Sequence, residues 1–150
     1  MKSWRFFKAM DHKIKGNYPQ DRLYHRDHTW VKFEKSNLIT FGITCFTKNL
    51  LGKIVELSPP KLRGIINYGS TCGQIESTSS ALDLIAPASG VVETLNKALI
   101  LRPSLLNDDP YENGWIARVK LENLYELAEL VSASEYQILL EDISISIKSA

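Results

Sequence analysis

Trp30-Val31-Lys32-Phe33-Glu34-Lys35-Ser36-Asn37-Leu38-Ile39-Thr40-Phe41-Gly42-Ile43-Thr44 is the stretch that decides the fold class. Its period is two. Ile39, Phe41 and Ile43 fall on one side of an extended chain, and Thr40 and Thr44 on the other. Trp30 to Glu34 reads as the preceding strand and Lys35-Ser36-Asn37 as the turn, so the segment predicts a β-hairpin.

The same alternation continues downstream. Residues 45–52 predict one short helix closed by a glycine. Lys53 to Leu57 predicts a strand, stopped by Ser58-Pro59-Pro60. Ile65 to Glu76 carries Gly69 and Gly73, which predict a strand, a tight turn and a second strand. Ser77-Thr78-Ser79-Ser80-Ala81 is a small polar turn, Leu82 to Ile85 a strand, Ala86-Pro87-Ala88-Ser89-Gly90 a turn and Val91 to Leu95 a strand. Leu105 to Gly114 reads as loop, with Asn107-Asp108-Asp109-Pro110 as its strongest turn signal. Trp115 to Leu121 alternates again. Short strands at regular spacing with Gly/Pro turns predict a mainly β fold, a small sandwich or barrel.

The tail changes period. Leu124, Leu127, Ala128 and Val131, then Tyr136, Leu139 and Leu140, follow helical spacing. Ser132 and Glu135 form a capping box. Two short helices are expected on the β-body. Ile143, Ile145 and Ile147 alternate with serines, which allows a final strand. At the other end, Trp4, Phe7, Met10 or Asp11, and Ile14 sit near helical spacing among lysines. They predict a short basic amphipathic helix ending before Gly16-Asn17-Tyr18-Pro19. The expected organisation is a basic extension over residues 1–22 and one domain over residues 23–150. The extension either packs on the domain or frays, or, through Trp4, Phe6 and Phe7, meets a partner or membrane surface. Membrane contact is the less favoured of these.

Composition fits this picture. The chain has 150 residues, 44% hydrophobic and 23% charged, as expected for one globular domain. The net charge of +1 is uneven: residues 1–20 hold five basic side chains and one acidic, and the rest hold thirteen basic and sixteen acidic. A body of that charge offers no concentrated basic face for nucleic acid. There is no apolar run long enough to span a bilayer and no signal-peptide core near the start. Cys45 and Cys72 could form at most one disulfide, and the expectation is a cytoplasmic protein with both thiols reduced. Oligomeric state is left open.

Chemistry-bearing groups are sparse. His25 and His28 are three residues apart, but no Cys or His cluster supplies further ligands, so no metal is expected. No serine sits in a nucleophile elbow. Gly69-Ser70-Thr71-Cys72-Gly73 lacks the lysine and the following helix of a phosphate loop and reads as a strand-to-strand turn. Cys72 reads as a small core residue, and Cys45 as a structural residue at a helix start. The chain is not expected to be an enzyme.

Several segments, taken in order, resemble one family. They are Tyr24-His25-Arg26-Asp27-His28-Thr29-Trp30-Val31; Phe41-Gly42-Ile43-Thr44; Leu50-Leu51-Gly52-Lys53-Ile54-Val55; Glu76-Ser77 through Asp83; and Ala86-Pro87-Ala88-Ser89-Gly90. Leu95-Asn96 with Ala98-Leu99, Pro103, Leu105, Asn107, Pro110-Tyr111, Gly114-Trp115 and the tail Leu130 to Asp142 complete the set. Over residues 24–142 the chain is similar to the H-protein family of the glycine cleavage system, within the lipoyl-domain superfamily. The resemblance implies a barrel-sandwich hybrid of two small antiparallel sheets with C-terminal helices. It also implies an aminomethyl carrier whose lipoate is joined by an amide to a lysine at a hairpin tip, with other proteins of that system as partners.

The family's tip reads Glu-Ser-x-Lys-Ala, and here it reads Glu76-Ser77-Thr78-Ser79-Ser80-Ala81. The resemblance therefore puts Ser79 at the lipoyl-lysine position. No lysine occurs from residue 62 through residue 96. A serine hydroxyl cannot form that amide, and its one-carbon stem gives no reach. The expectation is a homologue that carries no lipoate and acts as a non-catalytic binding partner or regulator in glycine decarboxylation or another lipoate-dependent pathway. Glu76, Ser77, Thr78, Ser80 and Asp83 are the expected partner-binding residues. Two other readings stay open: a functional carrier modified at an unexpected lysine, and an interaction module outside glycine metabolism that uses the N-terminal extension.

Overall fold

The computed structural model describes residues 11–149. Among them, nine strands form two antiparallel sheets. The larger has the order β1 (Leu23–His25), β2 (Thr29–Lys35), β3 (Leu38–Ile43), β9 (Ala117–Leu121), β8 (Gly90–Leu95), β5 (Ile65–Ile66). The smaller has the order β4 (Ile54–Ser58), β6 (Thr71–Ser77), β7 (Ala81–Ile85). Ile39, Phe41, Val92 and Val119 from the larger sheet and Leu57, Ile75 and Leu84 from the smaller share one buried cluster. Each is an inward position of an alternating strand, so burial of about 1.5–3 kcal/mol per side chain fixes the register.

The deciding hairpin forms as its period predicts. Val31 faces Phe41 and Phe33 faces Ile39, with a bulge between Phe33 and Lys35. Ser36 makes the turn at φ 50. Trp30 lies opposite Gly42, and a Cβ on Gly42 would stand 2.7 Å from the indole, so only glycine admits that ring. The helix after β3 is α1 (Cys45–Leu51). The Thr44 hydroxyl accepts from the Thr47 N–H at its start, and Gly52 closes it at φ 75, donating its N–H to Lys48 O.

A second, aromatic cluster docks the C-terminal helix α4 (Ala133–Ser149). Tyr136, fully buried, stacks on Tyr24 at 4.9 Å and meets Tyr18 edge-on at 5.7 Å. Trp30, Cys45, Phe46, Tyr111, Ala133 and Leu140 complete the cluster. Tyr24 and Val131 exchange both backbone hydrogen bonds, which ties the segment before α4 to β1. The capping box is present: Glu135 N donates to Ser132 Oγ and Ser132 N to Glu135 Oε1, each at 3.2 Å.

Some expectations are corrected. Ile143, Ile145 and Ile147 do not begin a strand. The capped helix continues through them, because extending a nucleated helix is easier than starting a strand with no partner. The tail holds one 3₁₀ helix, Leu124–Glu129, and one helix of 17 residues, where two short helices are expected. Leu105 to Gly114 is not all loop: α3 (Leu105–Asp108) opens it, and α2 (Lys97–Leu101) precedes it. Each of these helices buries one leucine, Leu106 or Leu99, too few for a periodic signal. Gly69 makes a turn at φ 75, but Gly73 sits at a bulge in β6, and β5 and β6 belong to different sheets. Residues 11–14 are helical and stop before Gly16, while Trp4, Phe6, Phe7 and Met10 lie outside the described residues.

Candidate functional site

The β6–β7 hairpin brings together every residue singled out at the polar turn. Glu76 pairs with Ala81, and Ile75 and Leu84 anchor the two strands in the core. Above that anchor the corner closes on its own hydrogen bonds. Ser77 N donates to Ser80 O at 2.8 Å. The Ser77 hydroxyl accepts from Ser79 N at 3.3 Å and from Ser80 N at 3.1 Å, and donates to Ser80 O at 3.2 Å. One serine therefore orders the whole turn, as Ser/Thr turns do. Thr78, Ser79 and Ser80 are exposed at its apex.

The corner is braced from β4. Thr78 N donates to Lys53 O at 3.0 Å, and Ile54 pairs with Ser77. Ile54 N in turn donates to Asn107 Oδ1 at 2.9 Å, and Asn107 Nδ2 donates to Gly52 O at 2.6 Å. Asn107, on α3, fixes the chain that holds the hairpin. This role is invisible in a segment that reads as loop.

Glu76 and Asp83 both lie on the exposed face of the smaller sheet, since Gln74, two residues before Glu76, pairs with Asp83. Sequence reasoning misses Glu56, which pairs directly with Glu76 across β4 and β6 and is also exposed. The register between two strands 20 residues apart carries that information. Like charges directly opposite repel, so this face favours a cationic neighbour.

The other candidate groups have structural partners. His25 Nδ1 accepts from Asp27 N at 2.9 Å, and burial lowers its pKa. His28 Nδ1 lies 2.8 Å from Tyr136 OH, and burial pushes its pKa down to about 4. The two histidines thus serve different neighbours. Among the described residues no group of three or more His, Cys, Asp or Glu side chains could hold a metal ion. Cys45 and Cys72 are both free thiols. Burial pushes the Cys72 thiol up to about 12, which makes it inert at neutral pH. Cys45 is buried at the start of α1, with Lys15 O 3.9 Å from its sulfur.

A covalent amide needs an amine, and the hairpin from Thr71 to Ile85 offers only hydroxyl, amide, thiol and carboxylate groups. Lipoate joined to a lysine, as the resemblance to H proteins implies, therefore has no attachment point within this hairpin.

The sequence profile described as Glycine cleavage H-protein matches residues 22–143. The chain is 41% identical over 124 residues to a glycine cleavage system H protein of Carboxydothermus hydrogenoformans, covering 83% of this chain and 95% of that protein. It is 37% identical over 126 residues to one of Salmonella arizonae, covering 84% and 98%. The crystal structure of a glycine cleavage system H protein from Mycobacterium marinum superposes with a TM-score of 0.71 at 35% identity, over 79% of this chain and 94% of that one.

Proposed function

The chain belongs to the glycine cleavage H-protein family, and on that premise we propose that it serves glycine cleavage as a docking partner with no lipoyl arm. Ser79 stands where the family's carrier lysine would stand. The observation that carries this reading is the donor set of the corner. Ser77 holds the turn in shape, and the apex presents the hydroxyls of Thr78, Ser79 and Ser80 and no amine. A preformed corner can enter a cleft built for such a hairpin without the entropy loss of ordering a loop. Glu76, Ser77, Thr78, Ser80 and Asp83 make the contacts, with Glu56 beside them. The chain catalyses nothing itself. It acts as a binding partner or regulator, in the cytoplasm, where Cys45 and Cys72 stay reduced. No helix among the described residues is long and apolar enough to cross a membrane. Residues 1–22 form an extension to a domain of residues 23–150.

Two measurements test this. Intact mass of native protein, and of protein co-expressed with a lipoyl ligase, shows no lipoyl increment. Titration with purified glycine-cleavage subunits shows saturable binding that weakens when Glu76 and Asp83 are both neutralised. A lipoyl adduct, or no binding to any subunit, refutes the reading.

One contact favours a second reading, a carrier that uses another lysine. Lys53 is exposed, and its carbonyl accepts from Thr78 N, which puts this lysine across from the apex. A lipoyl increment that disappears in Lys53→Arg would establish it.

A further inference from the structure

The family match begins at residue 22, so the preceding chain needs its own explanation. Its described part is held firmly against α1. Asn49 Nδ2 donates to Lys13 O at 3.0 Å and to Lys15 O at 3.1 Å, capping the carbonyls at the end of the helical turn over residues 11–14. Tyr18 OH donates back to Ile14 O at 2.6 Å. The result is an open cleft of about 390 Å³ lined by His12, Lys13, Lys48, Asn49, Gly52 and Asn107.

The charge of this cleft is one-sided. Among the described residues, two lysines and a histidine line it, and no carboxylate does. The nearest acids in sequence are engaged elsewhere: Asp11 takes the Ser144 hydroxyl, and Asp108 pairs with Arg102 at 3.2 Å. The carbonyls at the rim are occupied too. Asn107 O accepts from Lys48 Nζ at 3.0 Å, and Gly52 O accepts from Asn107 Nδ2. What the lining offers an incoming group is donor capacity: the other Lys48 ammonium protons, Lys13 and the His12 ring.

We propose that this cleft binds an oxyanion, a phosphate or carboxylate group, between Lys13 and Lys48. Lysines on two different elements line it, and charge-assisted hydrogen bonds are the strong ones. The volume admits a group the size of pyrophosphate or a small dicarboxylate. The site adjoins the hairpin brace through Gly52 and Asn107, so the basic extension equips the domain beside its corner. The inference does not depend on whether Ser79 is modified.

Calorimetric titration of the full chain with pyrophosphate and with succinate, at constant ionic strength against sodium chloride, tests it. Saturable binding is expected for at least one of them. Response to pyrophosphate alone assigns the phosphate class, and to succinate alone the carboxylate class. Lys13→Gln and Lys48→Gln should each weaken it about tenfold, and Lys97→Gln should leave it unchanged. Lys48 anchors Asn107, so if Lys48→Gln melts early, Lys13→Gln alone decides. No saturable heat beyond the salt control overturns the proposal, as does binding that survives Lys13→Gln undiminished.

Discussion

Tyr136→Phe isolates the bond that docks α4. The ring is fully buried and keeps its stacking on Tyr24 and its edge contact with Tyr18 in the variant. Only the hydroxyl leaves. It lies 2.9 Å from Thr44 Oγ1 and 2.8 Å from His28 Nδ1, so two partly or fully buried groups lose a partner at once. Leaving a buried polar group unsatisfied costs about 1–3 kcal/mol. Thr44 keeps the Thr47 N–H at 3.4 Å, which reduces its share. The sum is about 2–4 kcal/mol, a large part of the stability of an ordinary domain. Urea unfolding followed by tryptophan fluorescence reads it directly, since Trp30 sits in the same cluster. The midpoint should fall with the slope unchanged. A loss below about 1 kcal/mol would mean that the hydroxyl network is not what holds this helix, and that apolar contact alone does.

Three other outcomes follow from the same structure. Gly42→Ala puts a methyl group 2.7 Å from the Trp30 indole, whose N–H donates to Pro110 O at 3.1 Å, and should destabilise by about 1–3 kcal/mol in thermal melts. His28, held neutral by burial with its pKa near 4, makes the fold fully stable above pH 6.5. Up to about 3 kcal/mol should be lost as pH falls toward 4, because the unfolded chain binds the proton first, and His28→Gln should flatten that stretch of the curve. Ser79→Lys should become a substrate for a lipoyl ligase, read as a mass increment. Complete resistance with the fold intact would mean that Thr78 and Ser80 have removed the recognition surface as well.

What the sequence reveals and hides follows the range of the interactions. The β2–β3 hairpin, the α1 stop at Gly52 and the Ser132–Glu135 cap are legible because each is decided within about four residues. The β6–β7 corner is legible as a turn for the same reason. Partnership at a distance is not. Nothing local reveals that Glu56 faces Glu76, that Asn107 reaches Ile54 and Gly52, or that Asn49 caps the extension. The alternation of Ile143, Ile145 and Ile147 misleads because period two is a local signal, whereas α4 is held by Tyr136 and Leu140 against a distant aromatic cluster. The oxyanion cleft depends on three segments meeting, and no window of sequence contains all of them.

The same separation keeps the support of the hairpin apart from the chemistry of its apex. The groups that hold the hairpin, Ile75 and Leu84 below and Lys53 O beside, lie away from the apex side chains. The turn is closed by Ser77 and by backbone groups of Ser79 and Ser80, so the side chain at Ser79 takes no part in closing it. Exchange at such a position changes stability by a few tenths of a kcal/mol at most. Selection on folding therefore cannot see residue 79; only selection on chemistry can. A chain that docks without carrying needs Gly42, Thr44, Tyr136 and Ser77 for its fold and its corner, and nothing particular of the side chain at Ser79.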